Sequence, residues 1–143
     1  VPAAEPARVS ATVPATSGAA VPAAGGSRST VTVKVNGDEF RDSAGTARVS
    51  EGAVATFSLE HRCNLVVTQG TDPTLYAGVD GAVGSVPVQA VEVVNPIGSG
   101  DTFLATLTMR TIEGTSLAEA VTEATRLAGL NATFLRPGTL EAP

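Results

Sequence analysis

A chain of 143 residues has room for one domain core and little more. Apolar residues make up 43% and charged residues 16%, which excludes a solvated, unstructured chain; a net charge of -5 with only 9 Lys plus Arg excludes a nucleic-acid surface. No apolar run is long enough to span a bilayer, and the first residues lack the basic start and continuous apolar stretch of a secretory signal. No membrane partner is therefore expected, and a cytoplasmic location follows.

Residues 1–30 are dominated by Ala, Pro, Val, Ser and Gly, with Pro2, Pro6, Pro14 and Pro22 placed to interrupt any helix, so this stretch reads as a low-complexity, poorly ordered segment. Organisation begins at residue 31. Val31 to Val35 alternate as a short strand that ends at the turn-forming Asn36-Gly37. The spacing of Val54, Phe57 and Leu59 predicts a helix over Ser50 to Arg62, with Ser50 as its N-cap. Cys63 follows it; being the only cysteine it forms no intramolecular disulfide, and it reads as a packed thiol, while His61 has no companions for a metal site.

Leu65 to Thr68 read as a short buried strand closed by Gly70, and Leu75 to Ala77 and Val86 to Val94 as two further β-rich stretches joined through Gly78 to Gly81. Asn95-Pro96 breaks the last of these, Gly98-Ser99-Gly100 forms a loop, and Phe103, Leu104, Leu107 and Ile112 recur at helical spacing. Ser116 and Glu119 form a capping box for a final helix through Leu117, Val121, Ala124 and Leu127, and Pro137-Gly138 ends regular structure. Strands alternating with helices, several of them continuously apolar, predict an α/β fold with a mostly parallel sheet flanked by helices.

The stretch Asn95 to Phe103 carries the clearest chemistry. Its small residues let the backbone approach an anion at the start of a helix, where free N–H groups face negative charge. Asp101, in the first turn, is placed to take a proton from an attacking hydroxyl beside that anion. Spacing alone equally allows a plain strand-to-helix connection in which Asp101 only complements the helix dipole. The loop is neither a Walker A motif, since no Gly-Lys-Ser or Gly-Lys-Thr follows, nor a GxGxxG fingerprint.

Asn95-Pro96-Ile97-Gly98-Ser99-Gly100-Asp101-Thr102-Phe103 resembles the second signature of the PfkB (ribokinase-like) carbohydrate kinases, in which a GAGD or GSGD loop opens a helix. The resemblance implies that Asp101 is the catalytic base and that Gly98, Ser99 and Gly100 form the anion hole for the transferring phosphoryl group. Lys34 to Phe40 resembles the family's strand-end KxNxxE segment, which implies that Lys34, Asn36 and Glu39 lie near the phosphates and the metal, with Glu39 holding magnesium through water. Val66 to Gly70 resembles a strand ending in TxG, which implies that Thr68 and Gly70 line the nucleotide phosphate path. Leu130-Asn131-Ala132 and Leu135 to Leu140 resemble the helix end and exit loop bordering the adenine pocket, which makes Asn131 a nucleotide-site candidate.

The family resemblance implies the C-terminal half of a ribokinase-like fold, with residues 31–143 as its nucleotide-binding part, ATP and Mg2+ as cofactors, and a sugar or sugar phosphate as substrate. In wording, NPIGSGD and LRPGTL are similar to the 1-phosphofructokinase and tagatose-6-phosphate kinase branch. Thr16-Ser17-Gly18 resembles a DTSG segment of that branch, but Ala15 stands where the pattern has Asp. Family members are considerably longer, and their N-terminal half supplies most of the sugar site. The expectation is therefore a kinase part that is weakly active or inactive alone, with a missing N-terminal half or a homo-oligomer completing it. The competing expectation is a non-catalytic, truncated or decayed kinase fragment that acts as a nucleotide-binding or interaction module.

Overall fold

A computed structural model of the chain describes residues 30–136. Thr16-Ser17-Gly18, the low-complexity segment up to residue 29 and Pro137-Gly138 lie outside the described residues. The alternating valines form strand β1, Thr32–Asn36, but Asn36-Gly37 does not end in a turn. Asn36 instead caps helix α1, Gly37–Ala44, because its side chain accepts from the amide of Glu39 while the Glu39 carboxylate accepts from the amide of Asn36. Helix α2, Glu51–His61, starts at the expected cap, with the Ser50 hydroxyl accepting from Ala53 N at 3.2 Å.

Strands β2, Asn64–Gln69, β3, Asp72–Ala77, and β4, Val83–Val86, follow. Helices α3, Ser99–Ile112, and α4, Leu117–Ala132, complete the described chain. The Ser116–Glu119 capping box of α4 forms as its spacing predicts.

The sheet runs in the order β1-β2-β3-β4. Helices on both of its faces and the crossover from β1 to β2 make this an α/β fold, with β1 and β2 parallel and Asn36 opposite Thr68. The expected parallel order stops there: β2–β3 and β3–β4 are antiparallel, so the sheet is mixed. Gly70-Thr71 is too short for a parallel crossover, which takes a dozen or more residues, and only a hairpin closes over it. Continuous apolar runs misled the sequence reading because helices cover both faces of the hairpin as they would cover a parallel strand.

Residue alternation sorts the core into two layers. Val35, Leu65, Val67, Leu75 and Ala77 pack against Phe40 of α1 and Val54 and Phe57 of α2. Val66 packs on the opposite face against Phe103 and Leu107 of α3 and Ala120, Val121 and Ala124 of α4. Strand β2 is thus buried on both sides, as a central strand should be. Cys63 is a buried thiol as expected, and burial pushes its pKa up.

The predicted strand over Val86 to Val94 is a second departure. Strand β4 ends at Val86, and no regular structure follows before Ser99. Pro87 supplies no N–H to a ladder, and Val93 and Val94 are each 52% exposed instead of packed on a neighbour.

Candidate active site

Strand alternation aims Lys34 away from the layer that holds Val33 and Val35. Its cross-strand partner Val66 packs toward α3 and α4, so Lys34 occupies that same face. The side chain is half-buried, and its Nζ lies 3.8 Å from the position a Cβ on Gly100 would take. Burial lowers the Lys34 pKa, while the charges of Glu39 and then Asp101 pull it back up. One ammonium therefore lies within the field of carboxylates in the first turns of both α1 and α3.

At the end of β1 the Asn36 side chain accepts from Glu39 N at 2.9 Å, and Glu39 Oε2 accepts from Asn36 N at 2.8 Å. The next strand delivers Thr68 beside them, its hydroxyl donating to Val35 O at 3.4 Å. Asn36, Thr68 and Gly70 line one open cleft of about 320 Å³ at the C-terminal ends of β1 and β2, the end at which open α/β sheets bind ligands. Gly70 is needed there for its φ of 64°, which turns β2 into β3.

Sequence reading missed Arg41, whose guanidinium also borders this cleft and pairs with Asp38 one turn earlier. Its position four residues after Gly37, on the helix face that Gly37 opens, was the available signal.

The glycine loop lies at the other end of the Lys34 contact. Gly98, at φ 83°, is the N-cap of α3 and offers no side-chain cap, so first-turn amides stay open to an incoming anion. The Ser99 amide is different: it donates to Pro96 O at 3.2 Å. Of the expected anion-hole residues, Ser99 thus spends its N–H within the loop, and the open amides of the first turn are those of Gly100 and Asp101. Asp101 is exposed in that turn.

Asn131 is fully buried beneath the loop. Its Nδ2 donates to Ile97 O at 3.1 Å and to Ser99 Oγ at 3.2 Å. Among the described residues no cluster of three His, Cys, Asp or Glu stands ready for a metal ion. A single carboxylate, Glu39, with the Asn36 amide beside it suits magnesium, which keeps several waters and takes its remaining ligands from phosphates.

The sequence pattern of pfkB family carbohydrate kinases matches residues 13–140. The chain belongs to the pfkB family. Solved structures agree in fold. Ribokinase from Thermotoga maritima is 25% identical with a TM-score of 0.63, over 73% of this chain and 36% of its own. A variant of phosphofructokinase-2 from Escherichia coli gives 18% and 0.70, over 77% and 37%. Aminoimidazole riboside kinase from Salmonella enterica, solved with aminoimidazole riboside and an ATP analog, gives 23% and 0.61, over 75% and 37%. No curated protein sequence matches significantly. This pfkB chain thus spans little more than a third of the solved kinases it matches.

Burial disfavours the charged form of Lys34 in this pfkB chain. Its folded pKa lies below the ordinary 10.5, so the unfolded chain binds the proton more tightly, and stability rises as pH climbs from the lowered value toward 10.5. Replacing Lys34 by Met is expected to leave stability at pH 7 unchanged or higher, and to abolish that rise. Urea denaturation of both proteins at pH 7 and pH 10.5 checks this, and a variant clearly weaker at pH 7 would contradict it.

Proposed function

We propose that residues 31–143 form the nucleotide-binding part of a carbohydrate kinase that transfers the γ-phosphoryl group of ATP to a hydroxyl of a sugar or sugar phosphate. The observation that carries this reading is the uncapped start of α3, with Asp101 in its first turn and the Lys34 ammonium beside Gly100, in a chain of the pfkB family. The acceptor hydroxyl gives its proton to the Asp101 carboxylate as its oxygen bonds to the γ-phosphorus, and the bond from that phosphorus to the bridging oxygen breaks to release ADP. Open amides of the Gly98–Gly100 loop and of Asp101, with Lys34, offset the charge on the phosphoryl oxygens.

Thr68 and Gly70 hold the nucleotide phosphates from the cleft side, and Asn131 acts from beneath the glycine loop. Asn36 and Glu39 approach the phosphates and a magnesium ion held through water; when bound, the ion neutralises phosphate charge. The ATP analog in the aminoimidazole riboside kinase supports the nucleotide assignment.

Since the chain spans about a third of these kinases, most of the sugar pocket belongs to another segment, and this part alone turns over little sugar. The outer edge of β1 has no partner among the described residues and suits a completing segment or a second copy, consistent with the tetrameric phosphofructokinase-2 among the similar structures. A sugar phosphate of the fructose or tagatose type and a cytoplasmic location complete the proposal.

Calorimetric titration of the purified chain with ATP and magnesium tests it against Asn36→Ala combined with Gly100→Val. Binding that weakens at least about tenfold in a variant of unchanged circular dichroism supports the site. A well-folded native chain that binds no nucleotide would overturn it.

A further inference from the structure

Five hydrogen bonds tie the loop before α3 to the end of α4. Val94 N and Asn95 N both donate to Ala132 O, at 2.8 and 3.0 Å. Asn95 Nδ2 donates to Leu135 O at 3.1 Å, and Asn131 Nδ2 reaches Ile97 O and Ser99 Oγ at 3.1 and 3.2 Å. Within the loop, Asn95 Oδ1 accepts from Ile97 N at 3.0 Å, closing a turn that aims the chain at Gly98. The loop needs such support. No strand precedes it after Val86, Gly98 sits at positive φ, and Ile97 is 67% exposed, so neither a ladder nor apolar packing holds it.

From this geometry we infer that Asn131 is a positioning residue for the glycine loop and not a contact to the nucleotide base. The inference rests on the kinase reading above for its functional consequence, but the loop restraint stands by itself. Asn131 is fully buried, and its amide nitrogen is directed at the loop backbone and at Ser99, one residue before the open amides of Gly100 and Asp101. A side chain so placed sets where those amides point. It also makes the end of α4 and the anion-binding turn of α3 one mechanical unit, so a shift at residues 131–135 moves the turn that meets the phosphate.

Asn131→Leu, similar in volume and lacking the donor, tests this in the full chain. Amide hydrogen exchange without ligand is read at Ile97 and Ser99, the loop amides that donate to Asn95 Oδ1 and Pro96 O, with Val66 in the sheet as control, and calorimetry is run with ATP and, separately, with inorganic tripolyphosphate. Loop amides are expected to exchange about tenfold faster while Val66 is unchanged, and both affinities should fall by the same factor, since two hydrogen bonds to one loop are lost.

Weaker ATP binding with intact tripolyphosphate binding would mean that Asn131 touches the base, and would overturn the inference. Unchanged loop exchange would overturn it whatever the ligands do, as would faster exchange with both affinities intact. If the native chain binds neither probe, the kinase reading fails, and loop exchange alone decides whether Asn131 restrains the turn. Should Asn131→Leu not fold, Ser99→Ala removes one of the two bonds, and about threefold faster loop exchange is expected; no acceleration would overturn the assignment.

Discussion

In a complete kinase that carries this chain as its nucleotide-binding part, Asp101→Asn is expected to lower kcat by about a hundred- to ten-thousandfold, the usual contribution of a positioned general base. Asparagine keeps the size of the side chain but takes up no proton from the acceptor hydroxyl. The fold should persist, because Asp101 is exposed at the start of α3 and its removal forfeits the favourable meeting of a carboxylate with the helix N-terminus and the attraction to Lys34, both small at an exposed position. Nucleotide affinity should change little, since the open amides of that turn and Lys34 remain. Steady-state kinetics with ATP and sugar phosphate, beside ATP titration of the same variant, separates the two effects. A variant with native kcat would remove Asp101 from the chemistry, and one that lost ATP binding in proportion would make it a ligand-binding residue instead.

The largest expected loss of stability follows Phe40→Ala, at about 3–5 kcal/mol. Phe40 is 1% exposed and meets Phe57 edge to face, with ring centroids 5.7 Å apart, so it locks α1 and α2 onto one side of the sheet. Truncation leaves a cavity that neither a short helix nor a central strand can close without moving. Because Phe40 directly follows Glu39, loosening α1 also disturbs the Asn36–Glu39 box and the cleft beside it. Urea denaturation measures the change; a loss below about 1 kcal/mol would show that this layer repacks and that the rings do not hold α1 in place.

Much of the local structure was legible without coordinates, for local reasons. Ser50 and Ser116 each start a helix because a hydroxyl satisfies amides only three residues away, and that chemistry is written in the spacing. Asn36 and Glu39 were singled out as a pair, and they do touch, through a reciprocal cap that their spacing of three allows. The glycine loop before α3 was legible too, because a positive φ at Gly98 demands a residue without a Cβ.

Tertiary structure decided what depends on partners distant in sequence. Leu65 to Val67 are apolar whichever way their neighbour runs, so only the pairing of β2 with β3 made that ladder antiparallel. The valines from Val88 to Val94 have a strand's composition, yet a strand exists only where a ladder partner exists, and beyond Pro87 none is present among the described residues. Asn131 reads as a helix-end residue in the sequence; its contact with Ile97 and Ser99 appears only when α4 folds back against α3. In the same way Lys34 and Gly100, far apart along the chain, meet because the pleat of β1 turns one side chain toward α3. Short-range hydrogen bonds and backbone sterics are encoded residue by residue, whereas strand direction and the assembly of the site depend on burial against segments that the local pattern does not specify.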